Sequence, residues 1–251
     1  MDITKKKVVV IDLDDTLIHT RTNNKFPQGV WDMKLDLDVF AQLKKLRPLA
    51  VLVASNQGGI ELGLVNKQLF EAKFIYIIAS LQEYIGLNTL VSGNYCLSND
   101  PTNEFRKPNP GMYNMLVKQF EEQFRVDIEN SEVLAIGDAS GLPGDFSDSD
   151  LKAAQNFGCD YIDVREFVKL ELPEPLFKII ERSTLKVVTE GDTTLENMLE
   201  EDAKKAVERL NAEHEIVMRV PQLWVAPKPI QVQPKETKGR GRTVKMKPSK
   251  K

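Results

Sequence analysis

Residues 7–17 read Lys7-Val8-Val9-Val10-Ile11-Asp12-Leu13-Asp14-Asp15-Thr16-Leu17. Four consecutive β-branched residues spell a strand buried on both faces, because successive side chains point to opposite faces and none of the four is polar. The strand runs straight into a turn rich in carboxylates. Similar apolar runs recur at Leu49–Ala54, Leu90–Leu97 and Glu132–Ile136, with a shorter one at Asp160–Val164. Helical periodicities at Leu37–Leu46, Asn66–Ile85, Pro110–Phe124 and Asp148–Phe157 separate them. This alternation predicts an α/β fold, a Rossmann-like parallel sheet with helices on both faces.

The chain has 251 residues, 41% of them hydrophobic and 28% charged, enough for one domain with appendages and no staples. Cys96 and Cys159, with His19 and His214, are too few for a disulfide scaffold or a Cys/His zinc site. No apolar run approaches the ~18 residues of a membrane span, and the N-terminal run turns acidic too soon for a secretory signal. The expectation is an intracellular protein with no membrane partner, cytoplasmic or, in a eukaryote, nuclear. After residue 172 the pattern changes to a small, mostly helical appendage over 173–226. Helices are predicted at Leu176–Arg182 and Leu195–Ala212, the second capped from Asp192, Thr193 or Thr194, with a strand at Glu215–Val220. Residues 227–251 hold nine Lys or Arg against Glu236 alone, a charge of +8. The whole chain carries -3, which leaves -11 on residues 1–226. So basic and Pro-rich a segment is predicted to be a flexible tail.

Ligands of open α/β sheets bind beyond the carboxyl ends of the strands. Each long strand here ends in residues suited to a phosphoryl group or a hard cation. Asp12 and Asp14 follow the first, a pair able to hold Mg²⁺ or to act as nucleophile and proton-transfer group. Ser55-Asn56-Gln57-Gly58-Gly59 follows the second, a small hydroxyl on flexible backbone that can donate to phosphate oxygens. Arg106-Lys107-Pro108-Asn109-Pro110-Gly111 brings cations to a helix start, which favours an anion. Asp138, after the fourth strand, and Asp145, Asp148 and Asp150 add oxygen donors. Any one of these is readily a turn or a cap; their recurrence along one sheet edge points to a single site.

The four motifs resemble those of the haloacid dehalogenase superfamily of phosphotransferases across residues 7–164. The resemblance implies that Asp12 is a nucleophile forming an aspartyl-phosphate and that Asp14 donates and accepts protons. It implies that Ser55 binds phosphoryl oxygens and that Lys107 neutralises charge on phosphate and nucleophile. Asp12, Asp138 and the main-chain carbonyl of Asp14 would hold Mg²⁺. Thr16, Asn56 and Arg106 join this set as substrate contacts, and Asp145 as a further group whose role stays open.

Only 38 residues lie between Thr16 and Ser55 and 49 between Gln57 and Lys107, most of them taken up by predicted elements, so no large cap domain is expected. An uncapped crevice admits a polymer end. The local sequence is similar to the 3′-phosphatase domain of polynucleotide kinase/phosphatases: Asp12–Thr16, Thr20, Arg21, Phe26, Pro27 and Trp31 match, as do the Asn56-Gln57, Arg106-Lys107-Pro108 and Gly137-Asp138 elements. Asp15 stands where that family has glycine. The resemblance implies removal of 3′-phosphates from DNA or RNA ends, in repair or end processing. Arg21 and Lys25 would contact backbone phosphates, and Phe26 or Trp31 a terminal base; Phe26 is equally suited to packing on the core. No G-x-x-x-x-G-K-[ST] loop occurs, so any kinase or ligase step belongs to a separate protein. Two alternatives remain: a small-molecule phosphatase acting on sugar phosphates or histidinol-phosphate-like metabolites, and a non-enzymatic nucleic-acid-binding scaffold. Against the first, the stretch before Arg106 offers Cys96 alone in place of that branch's Cys/His zinc loop.

Overall fold

The computed structural model describes residues 2–22, 24–172, 178–181, 189–190, 193–194, 198–210 and 216–219. Val8–Ile11 (β1) forms the middle strand of the sheet because both of its faces are covered. Val8 and Val10 pack to one side, Val9 and Ile11 to the other, and all four are fully buried. The chain then makes a short antiparallel pair, β2 (Ile18–Thr20) with β3 (Met33–Leu35), and continues through α1 (Leu37–Leu46) and β4 (Ala50–Asn56). One turn of helix, α2 (Gly58–Glu61), precedes α3 (Lys67–Ile85), β5 (Leu90–Cys96), α4 (Gly111–Phe124) and β6 (Val133–Gly137). α5 (Ser149–Phe157), β7 (Asp160–Asp163) and the single turn α6 (Val164–Phe167) complete the unit. These sheet strands and long helices lie within two residues of the expected bounds.

The sheet is parallel with strand order β5-β4-β1-β6-β7. The chain winds outward from β1 to β5, then returns to place β6 on the other side of β1. Between β1 and β6 lies the topological switch point, where the connections leave a crevice at the carboxyl ends. One hydrophobic layer joins Val9, Ile11, Val51 and Val53 to Phe40, Leu43, Phe70, Phe74, Ile77 and Leu81 of α1 and α3. The opposite layer joins Val8, Val10, Ala50 and Leu52 to Tyr113, Leu116, Phe120, Ala153 and Phe157 of α4 and α5. No large cap covers the crevice among the described residues; the loops that border it are 21–32 between β2 and β3, 97–110 before α4 and 138–148 before α5.

That loop is organised by Asp32, which is buried and accepts from the Asn24 side chain (3.0 Å), the Gln28 main chain (3.1 Å) and Thr20 Oγ1 (3.3 Å). Hydrogen bonds from Asn24 and Thr22, ahead of that from Gln28, hold its pKa down to about 2.

Two expectations for the C-terminal segment are corrected. Leu176–Arg182 is not helical where described: β8 (Lys178–Glu181) pairs antiparallel with β11 (Ile216–Arg219), as suits the β-branched Ile179 and Ile180. Thr193 and Thr194 are not helix caps; they form β10, paired with β9 (Thr189–Glu190). The second predicted helix begins later, as α7 (Glu200–Leu210), and the predicted strand at 215–220 is β11. The basic segment 227–251 lies outside the described residues. No helix among them is long and apolar enough to cross a membrane.

At the base of the loop, His19 stands between Asp15, 3.6 Å away, and Asp36, whose Oδ2 is 2.9 Å from Nε2. Asp15 and then Asp36 raise the imidazole pKa from 6.5 to about 9, against the opposing effect of burial. A raised pKa means that the folded state binds the proton more tightly than the unfolded chain does. The stabilisation is complete below 6.5 and is lost as pH rises through about 9. Scanning calorimetry from pH 6 to 10 is expected to show a shallower decline of melting temperature for His19→Asn than for the unsubstituted chain; equal slopes would deny His19 this role.

Candidate active site

The turn after β1 is pinned from below by apolar side chains. Leu13, Leu17 and Ile18 are fully buried, and the Leu13 carbonyl accepts from the main chain of Leu17 (2.9 Å) and Ile18 (3.2 Å). Asp15 lies at the apex with φ +58°, in the left-handed region where the related family has glycine. This tight turn presents the carboxylates of Asp12 and Asp14 to the crevice in different surroundings.

Asp12 meets Lys107. The Lys107 side chain is 2% exposed; its amine donates to Asp12 Oδ1 and lies 2.7 Å from Asp150 Oδ1. The Lys107 backbone is gripped by Asn56 at the end of β4, which donates to its carbonyl (2.9 Å) and accepts from its N–H (3.0 Å). Asn56, expected as a substrate contact, therefore aims the lysine instead. One guanidinium nitrogen of Arg106 donates to the Ser98 carbonyl at 2.8 Å.

Asp138 leaves the end of β6. Thr16, also expected to touch substrate, is fully buried and donates to Asp138 Oδ1 at 3.3 Å. Asp12, Asp138 and Asp150 each offer an oxygen within 4.8 Å of the others, the one such group among the described residues. Burial, then neighbouring Asp150 and Asp15, push the Asp138 pKa up to about 6. Burial also drives Asp12 upward, reinforced by Asp150 and Asp138 and opposed by Lys107. For Lys107, burial favours the neutral amine, but Asp12 and Asp150 outweigh it and the pKa rises.

Asp14 turns away from this cluster. Its Oδ1 accepts from Lys73 (3.1 Å) and its Oδ2 from Gln57 Nε2 (2.7 Å), and the same Gln57 amide donates to Ser55 Oγ at 2.8 Å. Its side chain is thus no part of the carboxylate group, and Asp150 takes that place. Asp145 is also elsewhere. It accepts from Ser140 and Leu142 and pairs with Arg165 Nη1 at 2.8 Å, which holds its carboxyl below the usual range and pins the loop after β6.

The four carboxylates face two buried ammonium groups, Lys107 and Lys73, so an excess of negative charge remains. Asp150 Oδ1 is buried and ion-paired, yet has no aligned hydrogen-bond donor. Excess charge and three clustered carboxylate oxygens fit a small hard cation such as Mg²⁺.

At the rim, Arg21 and Lys25 are exposed. The Lys25 amine lies 3.6 Å from the ring centroid of Phe146, which is 72% exposed, and the edge of Phe26 meets the same ring at 6.3 Å. Phe26 thus joins the loop 21–32 to the loop after β6 rather than packing in the core. Trp31 is exposed and lies over Gly29, where its ring would stand 2.3 Å from any added Cβ.

Sequence reading passed over Lys73, Asp32 and Arg165; it named Gln57 within a motif without giving it a role, and named Asp150 among further oxygen donors for a cation. Lys73 carried a signal. It falls on the apolar stripe of Phe70, Phe74 and Ile77, where a charge needs a partner.

A parallel sheet with an acid at the end of its first strand, a buried lysine on that acid and a carboxylate cluster at the switch point defines an aspartate-based phosphatase of the haloacid dehalogenase type. The chain belongs to the polynucleotide kinase 3 phosphatase family, whose profile matches residues 7–168. It is 31% identical over 175 residues to a bifunctional polynucleotide phosphatase/kinase of Schizosaccharomyces pombe, covering 68% of this chain and 38% of that one. To a polynucleotide 3′-phosphatase of Saccharomyces cerevisiae it is 27% identical over 215 residues, covering 68% and 87%. An uncharacterized 20.8 kDa protein of Autographa californica nuclear polyhedrosis virus is 29% identical over 178 residues, covering 67% and 88%. A D,D-heptose 1.7-bisphosphate phosphatase structure from B. bronchiseptica covers 67% of this chain and 89% of its own at 22% identity and a TM-score of 0.48, too distant to bear on substrate.

A Cβ at Gly137 would stand 2.2 Å from Asp150 Oδ2, so Gly137→Ala must displace that carboxylate. Calorimetric titration of Gly137→Ala with Mg²⁺ is expected to show affinity weakened about tenfold or more while far-UV circular dichroism is unchanged. Asp145→Asn should behave oppositely, with Mg²⁺ affinity kept within about twofold and the melting temperature lowered. Equal losses of affinity in both variants would place Asp145 in the cation site after all.

Proposed function

We propose that this chain is a Mg²⁺-dependent phosphatase that removes 3′-phosphates from polynucleotide ends through a phosphorylated Asp12. The observation that carries the reading is the buried Lys107 held between Asp12 and Asp150 at the switch point of the sheet. Membership of the polynucleotide kinase 3 phosphatase family supports the substrate class.

Phosphoryl transfer needs in-line positioning and neutralisation of charge. A carboxylate oxygen of Asp12 attacks phosphorus, and the bond from phosphorus to the leaving sugar oxygen breaks. Asp14 gives that oxygen its proton. Asp14 then takes a proton from water as the water attacks the same phosphorus, breaking the bond to Asp12 and releasing inorganic phosphate. Lys107 favours the anionic nucleophile and offsets phosphate charge; Ser55, whose hydroxyl is oriented by Gln57, is the donor to a phosphoryl oxygen. Asp12, Asp138 and Asp150, with the main-chain carbonyl of Asp14, would hold Mg²⁺, which when bound neutralises the phosphate and the excess of carboxylate charge.

The shape of the crevice supports a polymer end over an enclosed metabolite. Its rim carries Arg21 and Lys25 for backbone phosphates and Phe26 and Phe146 for a base. The Cys96 sulfur lies 3.9 Å from the Ser98 carbonyl oxygen and 3.8 Å from Asn103 Oδ1. The +8 segment 227–251 is suited by charge to a polyanion, and the 5′-kinase or ligase steps of end processing would fall to other proteins. Two free cysteines, one of them buried, agree with an intracellular setting.

Activity on 3′-phosphorylated, 5′-phosphorylated and sugar-phosphate substrates, with and without Mg²⁺, tests the reading. Preference for the 3′-phosphate with Mg²⁺ is expected, and preference for the sugars would overturn it. Asp12→Asn is expected to lower kcat by about 10³ or more with oligonucleotide binding retained; sustained turnover in a clean preparation removes Asp12 from its role. Deleting 227–251 should weaken binding and flatten its dependence on salt, and an unaltered slope would show that this segment makes no electrostatic contact.

A further inference from the structure

Lys73 sits in the middle of α3, 2% exposed, on the face formed by Phe70, Phe74 and Ile77. A charge in such surroundings persists only where partners replace water. Two oxygens do so: Asp14 Oδ1 and the main-chain carbonyl of Pro27, each 3.1 Å from the amine. The Phe70 ring, its centroid 5.3 Å away, covers the amine further. Gln57 holds the other oxygen of Asp14, so the carboxylate is fixed from both sides. Pro27 is buried and follows Phe26, whose ring edge meets Phe146 across the rim. One amine therefore ties the acid after β1 to the loop that borders the crevice.

We infer that Lys73 is a positioning residue that seats the Asp14 carboxylate and the loop 21–29 together, so that proton transfer is competent only when the rim of the crevice is in place. This rests on the reading of Asp14 as the proton-transfer group. Lys73 has no contact with Asp12, whose lysine partner is Lys107, and none of the interactions that set the nucleophile passes through it. Removing the amine leaves Asp14 held by Gln57 alone and the Pro27 carbonyl buried without this donor, while Asp12, Lys107 and Asp150 keep their contacts.

p-Nitrophenyl phosphate separates the two half-reactions. Its phenolate leaves without a proton, so Asp12 is phosphorylated without help from Asp14, whereas hydrolysis of the phosphorylated Asp12 needs the base. The full chain with Mg²⁺ is followed by stopped flow. Lys73→Met is expected to release about one equivalent of p-nitrophenolate at a rate within about threefold of the unsubstituted chain, then turn over at about a tenth of the unsubstituted steady rate or below. Adding Asp14→Asn to Lys73→Met should cost no more than Asp14→Asn alone. A merely structural role predicts that burst and turnover shrink together; that result, or an unchanged steady rate, overturns the inference. Should Lys73→Met fail to melt cooperatively, Lys73→Gln takes the same measurement with the same deciding outcomes. If the unsubstituted chain turns over p-nitrophenyl phosphate but not a 3′-phosphorylated oligonucleotide, the polynucleotide reading fails while the comparison at Lys73 is still decided.

Discussion

The Lys107 ammonium, shut away from water between Asp12 and Asp150, is a charge that the interior tolerates only while both partners remain in place. Breaking a buried pair of this kind by removing one partner costs on the order of 3–5 kcal/mol, because the other charge is left unmatched. The surroundings accordingly fix all three groups. Asn56 grips the Lys107 backbone, the absence of a side chain at Gly137 makes room for Asp150, and the Leu13–Ile18 turn sets Asp12. Each comes from the end of a different strand or the loop after it. Assembling one ion pair thus requires β1, β4 and β6 to be in register.

A second buried lysine repeats the solution on the other acid. Lys73 reaches the site from α3 and Lys107 from the loop that leads into α4, so the two cations arrive from different parts of the chain. Asp12 and Asp14 are two residues apart, yet one faces Lys107, Asp150 and Asp138 while the other faces Lys73 and Gln57. Distinct surroundings are what allow two chemically identical groups to take different parts in a reaction. The whole-chain charge of -3 conceals both this acidic edge and the +8 of residues 227–251. An acidic body repels a polyanion at long range, so under the proposed function attraction would fall to local cations such as Arg21 and Lys25 and to the basic segment.

The parallel sheet was legible because Val8–Ile11 and Ala50–Ala54 are apolar on both faces, a pattern that few other arrangements accept. Asp12, Asp14, Ser55, Lys107 and Asp138 were legible because each follows directly on such a strand or precedes a helix. Roles assigned by proximity in sequence fared worse. Thr16 and Asn56 flank the site, but their side chains satisfy Asp138 and the Lys107 backbone. The helix expected at Leu176–Arg182 failed for a different reason. Apolar spacing over so short a run does not separate helix from strand, and the partner strand β11 lies more than thirty residues onward.

Taken alone, the sequence determined the α/β architecture, the edge of the sheet at which chemistry takes place and the strand-end acids and lysine that occupy it. These follow from periodicity and from the rule that ligands bind beyond the carboxyl ends of parallel strands. Only the tertiary structure decided which charges are paired. Asp150 lies 43 residues from Lys107, and Lys73 lies 59 from Asp14, so neither pair leaves a local pattern. Burial, rather than chain order, then separated groups that face the reaction from groups that hold them there, because an interior charge or hydrogen-bonding group must find its partner wherever the fold brings one within reach.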